Sequence, residues 1–170
     1  ETRDGETASI SVRAAITGHL VLSSLHTNDA ISAIVRLEDM GVEPFMVANS
    51  MIGSVSQRLV RTICPHCKAK IKATDIEKEE LGDDIEYVYR GTGCNHCNNT
   101  GYKGRTAVHE VILIDKALRK LISNNAEVDD MYAYVKKEQN LVTLKEATVQ
   151  LVKEGMTTME ELYKISVYTD

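Results

Sequence analysis

Thr17-Gly18-His19-Leu20-Val21-Leu22-Ser23-Ser24-Leu25-His26-Thr27-Asn28-Asp29-Ala30 is the stretch on which the fold turns. Gly18 suits the position just past a helix that ends at Thr17. Residues 20–25 then read as a short strand, apolar enough to be mostly buried. The polar run 26–29 offers capping side chains to a following helix. Upstream, residues 7–17 read as a helix. Downstream, a helix over about 29–40 puts Ile31, Ala33, Ile34, Val35, Leu37 and Met40 on a wide apolar face, and Gly41 stops it. Pro44 suits a first helical position. Phe45, Ala48, Ile52, Val55 and Leu59 follow at helical spacing, which predicts a further helix. Helix–strand–helix–helix is an α/β pattern, and a buried strand needs neighbouring strands. None is evident in residues 1–63, so those neighbours are expected upstream. Glu1 in place of a methionine agrees with a chain that begins inside something longer, or after a cut.

The middle of the chain, 64–104, has another character. It opens with Cys64-Pro65-His66-Cys67 and closes with Cys94-Asn95-His96-Cys97, with 26 residues between the pairs. Two Cys-x2-Cys turns present four thiolates, the ligand set of a structural zinc. A gap of this length is easily spanned, because loop closure costs little extra as loops lengthen. Four thiolates close the coordination shell and leave no place for water, so the expected metal is structural rather than catalytic. Two disulfides, or a site in which His66 or His96 replaces one cysteine, are the alternatives. The intervening segment is rich in Lys, Glu and Asp, and its acidic run 75–86 is expected to face solvent or a neighbour. Such a lobe is too small for a core of its own and needs the metal to fold.

Residues 106–114 form the clearest strand pattern. The last third is helical, with a short helix marked by Leu118, Leu121 and Ile122. Two later helices open with capping-box sequences, Thr143-Leu144-Lys145-Glu146 and Thr158-Met159-Glu160-Glu161. In the first of these Leu144, Ala147, Thr148, Leu151 and Val152 form the stripe expected to be buried. Three segments result: 1–63, 64–104 and 105–170, the last a strand followed by a helical bundle.

Length and composition are those of an ordinary globular chain: 170 residues, 43% hydrophobic and 26% charged. No apolar run approaches the ~18 residues of a membrane span. The net charge of -5 is spread evenly. With one Phe, no Trp and seven scattered Tyr, neither a basic surface nor interleaved aromatics argue for nucleic acid.

Candidates for chemistry gather near the start. Glu1, Arg3, Asp4 and Glu6 form a dense charged cluster, which by itself also suits a solvated helix N-terminus. His26 stands at the end of the expected strand and before a helix N-terminus, where ligands and phosphates collect in α/β folds; a lone histidine there also has a structural reading. His19, at the other end of the strand, reads as structural. No G-x-x-x-x-G-K-[ST] run is present, and Gly101-Tyr102-Lys103-Gly104-Arg105 does not have that form. These 170 residues cannot cradle a triphosphate alone.

Together these motifs resemble a known family. Glu1-Thr2-Arg3-Asp4-Gly5-Glu6-Thr7-Ala8 resembles the end of the Walker B segment of the secretion ATPases, and 17–30 resembles their His box. Arg36-Leu37-Glu38-Asp39-Met40-Gly41, Gln57-Arg58-Leu59-Val60-Arg61, both cysteine pairs and Gly101–Arg105 also fit, in register to about Ile165. The resemblance is to the hexameric type II secretion and type IV pilus assembly ATPases, in the branch that carries the four-cysteine insertion. It implies the C-terminal portion of a RecA-like ATPase domain, with a zinc-binding lobe and a C-terminal helical bundle. It implies Mg²⁺ and ATP in the full-length protein, a ring of six, and a platform protein in the inner membrane, with the motor peripheral on the cytoplasmic face. Carried over by position, Glu1 is the Walker B acid and His26 senses the γ-phosphate. Arg3, Arg36 and Arg105 would face nucleotide or the next subunit. The competing expectation is a zinc-ribbon interaction module without catalytic activity.

Overall fold

The computed structural model describes residues 1–169, with side chains as far as Val167. The chain divides into two compact units, each assembled from two separate stretches: residues 1–56 with 110–142, and residues 57–109 with 143 onward.

The first unit opens with α1 (Gly5–Ile16), capped by Asp4, whose carboxylate accepts the Thr7 N–H at 2.8 Å. Gly18, at φ +96°, ends it with N–H bonds back into the last turn. Residues 19–27 form no regular element and join no ladder, and Leu20 and Leu22 are 76% and 87% exposed. This corrects the expected buried strand. The reason is the one foreseen for it: a strand exists only beside another. Here the segment makes a single rung, from the Thr2 N–H to the Ser24 carbonyl at 2.9 Å.

α2 (Ser32–Asp39) starts later than expected, and Asp29 in the turn before it accepts the Ser32 N–H at 2.7 Å. α3 (Pro44–Ser50) follows, with Pro44 in its first turn. It does not continue through Leu59. Gly53–Ile63 is instead strand β1, and Ile52, Val55 and Leu59 are exposed. Their spacing of three and four residues imitates a helical stripe. The side chains actually buried are Ser56, Val60 and Ile63. Gly53 lets β1 lie close to its neighbour: a Cβ there would sit 3.0 Å from the Ile112 carbonyl oxygen. That neighbour is β2 (Tyr102–Leu113), which extends the strand expected over 106–114. α4 (Lys116–Ser123) and α5 (Val128–Glu138) complete the unit, and α5 had no counterpart in the sequence reading. The core joins Ala8 and Val12 of α1, Ile34 of α2, Val47 of α3, Ile112, and Leu118, Ile122 and Val135 of the two later helices.

The second unit holds the remainder of β1 and β2 and a two-stranded antiparallel sheet, β3 (Lys68–Lys72) with β4 (Tyr87–Gly91). The connection between β3 and β4 contains α6 (Asp75–Leu81), opened by a full capping box of Thr74 and Glu77. Most of its acids are exposed as expected. Glu77 is not: it is buried, and Arg90 donates to its carboxylate at 2.6 Å. α7 (Leu144–Lys153) shows the expected box, Thr143 with Glu146. Gly155 ends it, and its missing Cβ leaves room for the Tyr89 ring, which would otherwise lie 2.5 Å away. α8 (Met159–Thr169) closes the chain. At its start Thr158 and Glu161 are drawn across the unit. Thr158 Oγ1 lies 2.7 Å from Tyr102 Oη, and Glu161 accepts from both the backbone N–H and the guanidinium of Arg61. The helices of the last third thus divide two and two between the units.

Candidate functional site

Two clusters carry chemistry, one in each unit. In the first unit the cap of α1, residues 19–27 and α2 converge. Thr2 is buried, and its Oγ1 lies 2.8 Å from Ser23 Oγ beside the backbone rung to Ser24. This pairing holds the start of the chain beside Ser23 and Ser24. Glu1 Oε2 accepts from Arg3 at 2.6 Å, and Glu1 Oε1 lies 2.6 Å from His26 Nε2. The Arg3 bond, helped by the nearby imidazole, holds the Glu1 carboxyl below the ordinary carboxylate range. Thr2, Arg3, His26, Arg36 and Met40 line an open cavity of about 370 Å³. Gly5 brings the start of α1 against the end of α2 there: a Cβ at Gly5 would sit 2.4 Å from the Met40 carbonyl oxygen.

Four of the five expected non-metal residues, Glu1, Arg3, His26 and Arg36, thus belong to one neighbourhood. Arg105 is exposed on β2 within the second unit. His19 sits 3.2 Å from both Thr17 Oγ1 and the Ala14 carbonyl at the end of α1, a structural position. Sequence reasoning missed Thr2, whose burial had no signal in the pattern, and Glu110, whose carboxylate reaches the backbone of Ala30. Two guanidinium groups and an imidazole around a cavity suit an anion with several oxygens, such as a phosphate. A carboxylate at its edge suits the water shell of a hard divalent cation.

In the second unit the two cysteine turns are brought together by the Cys64 N–H bond to the Gly101 carbonyl and the Thr92 N–H bond to the Cys67 carbonyl. The crossing is possible because two glycines meet: a Cβ on Gly91 would sit 2.0 Å from the Gly101 oxygen. No disulfide joins Cys64, Cys67, Cys94 and Cys97, and their ligand atoms all lie within 4.8 Å of one another. The distances Cys64–Cys94, Cys67–Cys97 and Cys94–Cys97 are 3.9, 3.8 and 3.7 Å. A tetrahedron of sulfurs about 2.3 Å from a zinc ion has edges of about 3.8 Å. The residues therefore fit the metal. His66 and His96 stack on each other, ring centroids 3.9 Å apart, and are exposed.

The surroundings favour thiolate at Cys97. Burial opposes charge on Cys97, but the N–H groups of Cys94 and Gly101 and the adjoining thiols outweigh it and bring Cys97 down to about 6. At Cys67 burial wins and pushes the thiol up to about 11.

The sequence family described as Type II/IV secretion system protein matches residues 1–164. Type II secretion system ATPase E of Vibrio cholerae is 43% identical over 98% of this chain and 33% of its own length. Type IV pilus assembly ATPase TfpB of Acinetobacter baylyi is 42% identical over 97% of this chain and 29% of its own. The chain spans about a third of these relatives. Among solved structures, the pilus retraction motor PilT with bound ADP matches at a TM-score of 0.64 and 25% identity, over 97% of this chain and 37% of that one. The Legionella pneumophila ATPase DotB shares the fold at a TM-score of 0.63 and 18% identity, over 98% of this chain and 37% of that one. The α/β architecture, the paired cysteines and these matches lead to one conclusion: the chain belongs to the type II/IV secretion system protein family.

Proposed function

We propose that this chain is the C-terminal portion of a hexameric motor ATPase that couples ATP hydrolysis to pilus or pseudopilus assembly, in type IV pilus biogenesis or type II secretion. The observation that carries the reading is the cavity of Arg3, His26 and Arg36 with Glu1 bonded at its edge, in a chain whose relatives are named ATPases. In this reading Glu1 holds the water shell of Mg²⁺ and helps polarise the attacking water. His26 reports the γ-phosphate from the end of its segment. Arg3 and Arg36 balance phosphate charge or contact the next subunit, and Arg105 approaches nucleotide when domains close. Positioning and charge compensation dominate phosphoryl transfer, and these are the residue types that supply them.

Residues 1–63 are the C-terminal part of the RecA-like core in this proposal, 64–104 the four-cysteine lobe, and 105–170 the strand with the helical subdomain. Cys64, Cys67, Cys94 and Cys97 hold a structural Zn²⁺, which supplies folding energy and no reaction step. The whole protein is a homohexamer on the cytoplasmic face of the inner membrane, bound to a platform protein and to no nucleic acid. No helix among the described residues is long and apolar enough to cross a membrane. Without a G-x-x-x-x-G-K-[ST] loop in its 170 residues, the chain alone turns over no ATP.

The test is steady-state ATPase kinetics of the full-length protein. His26→Ala is expected to lower kcat about tenfold or more and to change the KM for Mg-ATP less than about threefold. An equal loss of turnover and binding refutes the role of His26. Hydrolysis by the 170-residue chain alone refutes the division of labour.

A further inference from the structure

Glu110 is a buried carboxylate that the proposed hydrolysis does not use. It lies near the end of β2, is 2% exposed, and its Oε1 accepts the backbone N–H of Ala30 at 2.8 Å. Ala30 is itself fully buried, four residues beyond His26, where the chain turns into α2. A carboxylate is costlier to bury than an apolar side chain of similar volume, and what it supplies is a strong acceptor at a fixed point.

The His26 ring is 86% exposed, so packing does little to fix it. Its place depends on the backbone of residues 24–30, which lies in no regular element until α2 begins. That backbone is anchored upstream by Thr2, through Ser23 and Ser24. Downstream it is anchored by Glu110 at Ala30, with Ser56 Oγ donating to the Asn28 carbonyl at 3.3 Å.

We infer that Glu110 is a positioning residue for His26: its grip on the Ala30 N–H sets where the imidazole stands against Glu1, and so governs turnover rather than nucleotide affinity. The inference rests on the nucleotide reading of the cavity. Small misplacements of a catalytic group cost large factors in rate, about 100-fold for 1 Å.

The test uses the full-length protein and three variants, with kcat, KM for Mg-ATP and a thermal melt for each. Glu110→Met fills the space without an acceptor and is expected to lower kcat about tenfold with KM within about threefold. Glu110→Gln keeps the acceptor and is expected to stay within about threefold of the parent in kcat. His26→Ala is the control. If it leaves kcat unchanged, the nucleotide reading falls. If it lowers kcat and Glu110→Met does not, the inference alone falls. Equal losses in the Met and Gln variants, with lowered melting, assign Glu110 to packing and overturn it. Should the Met variant fail to fold, the Gln variant decides: kcat within threefold upholds the inference, and a larger loss defeats it.

Discussion

Removing the metal ligands should melt the lobe of the second unit and leave the first unit standing. The lobe contributes few large apolar side chains of its own. Leu81 and Val88 are buried, with Ala73 beside them, and the rest of that cluster is Val152, Met159 and Leu162 from α7 and α8. At roughly 1.5–3 kcal/mol for a fully buried side chain, Leu81 and Val88 supply about 3–6 kcal/mol. A four-thiolate zinc site supplies about 10–16 kcal/mol at neutral pH. The metal is the larger contribution across both ranges, so the lobe should not survive its loss. The first unit has a separate core, from Ala8 to Leu141, to which none of the four cysteines belongs. The perturbation is Cys64→Ser with Cys94→Ser, or chelation of the parent protein. Metal analysis of the parent should return about one zinc per chain, with X-ray absorption showing four sulfurs at about 2.3 Å. Amide exchange should then show the β3–β4 ladder, Ile71 opposite Val88 and Lys70 opposite Tyr89, losing protection on chelation. Amides of Ile112, Leu118 and Val135 should keep theirs. A metal-free parent with sulfurs paired in disulfides, or a β3–β4 ladder still protected after zinc is removed, would refute the reasoning.

Three further outcomes are expected. Glu160 is held at about 2 by the Tyr102 hydroxyl, then by Lys164 and Arg61, against an ordinary 4.5. Because the folded value is the lower one, this stabilisation is complete above about pH 4.5 and fades as pH falls toward 2. Acid titration followed by urea melts should show that loss in the parent and a smaller one in Glu160→Gln; identical profiles would contradict it. Gly91→Ala should weaken zinc binding and destabilise the second unit by more than ~1 kcal/mol, because its Cβ would meet backbone rather than a movable side chain. A competition titration against a chromogenic chelator reads this directly. Leu162→Ala, at a fully buried position, should cost about 2–5 kcal/mol in denaturant unfolding of the second unit; a cost below 1 kcal/mol would mean that α8 is not part of its core.

The parts legible in sequence are those whose partners are close along the chain. Each cysteine turn needs only two intervening residues, and the capping box of α7 needs three, so both could be read directly and both are present. The cluster of Glu1, Arg3 and His26 was reachable through motif resemblance, though pattern alone gave no distance between them. The error at β1 shows the limit of periodicity. Ile52, Val55 and Leu59 sit at helical intervals, yet they are exposed on a strand, and a pattern of apolar residues does not say which of them finds a partner.

By itself the sequence determined the paired cysteines, the capping box of α7 and the family, because each is written in short spacings or in contiguous motifs. Tertiary structure alone decided that α4 and α5 complete the first core while α7 and α8 complete the second. It alone brought Glu110 to Ala30, eighty residues away. A helix carries an apolar face but not the address of the face it buries; that address is settled only when distant stretches compete to exclude water from the same space.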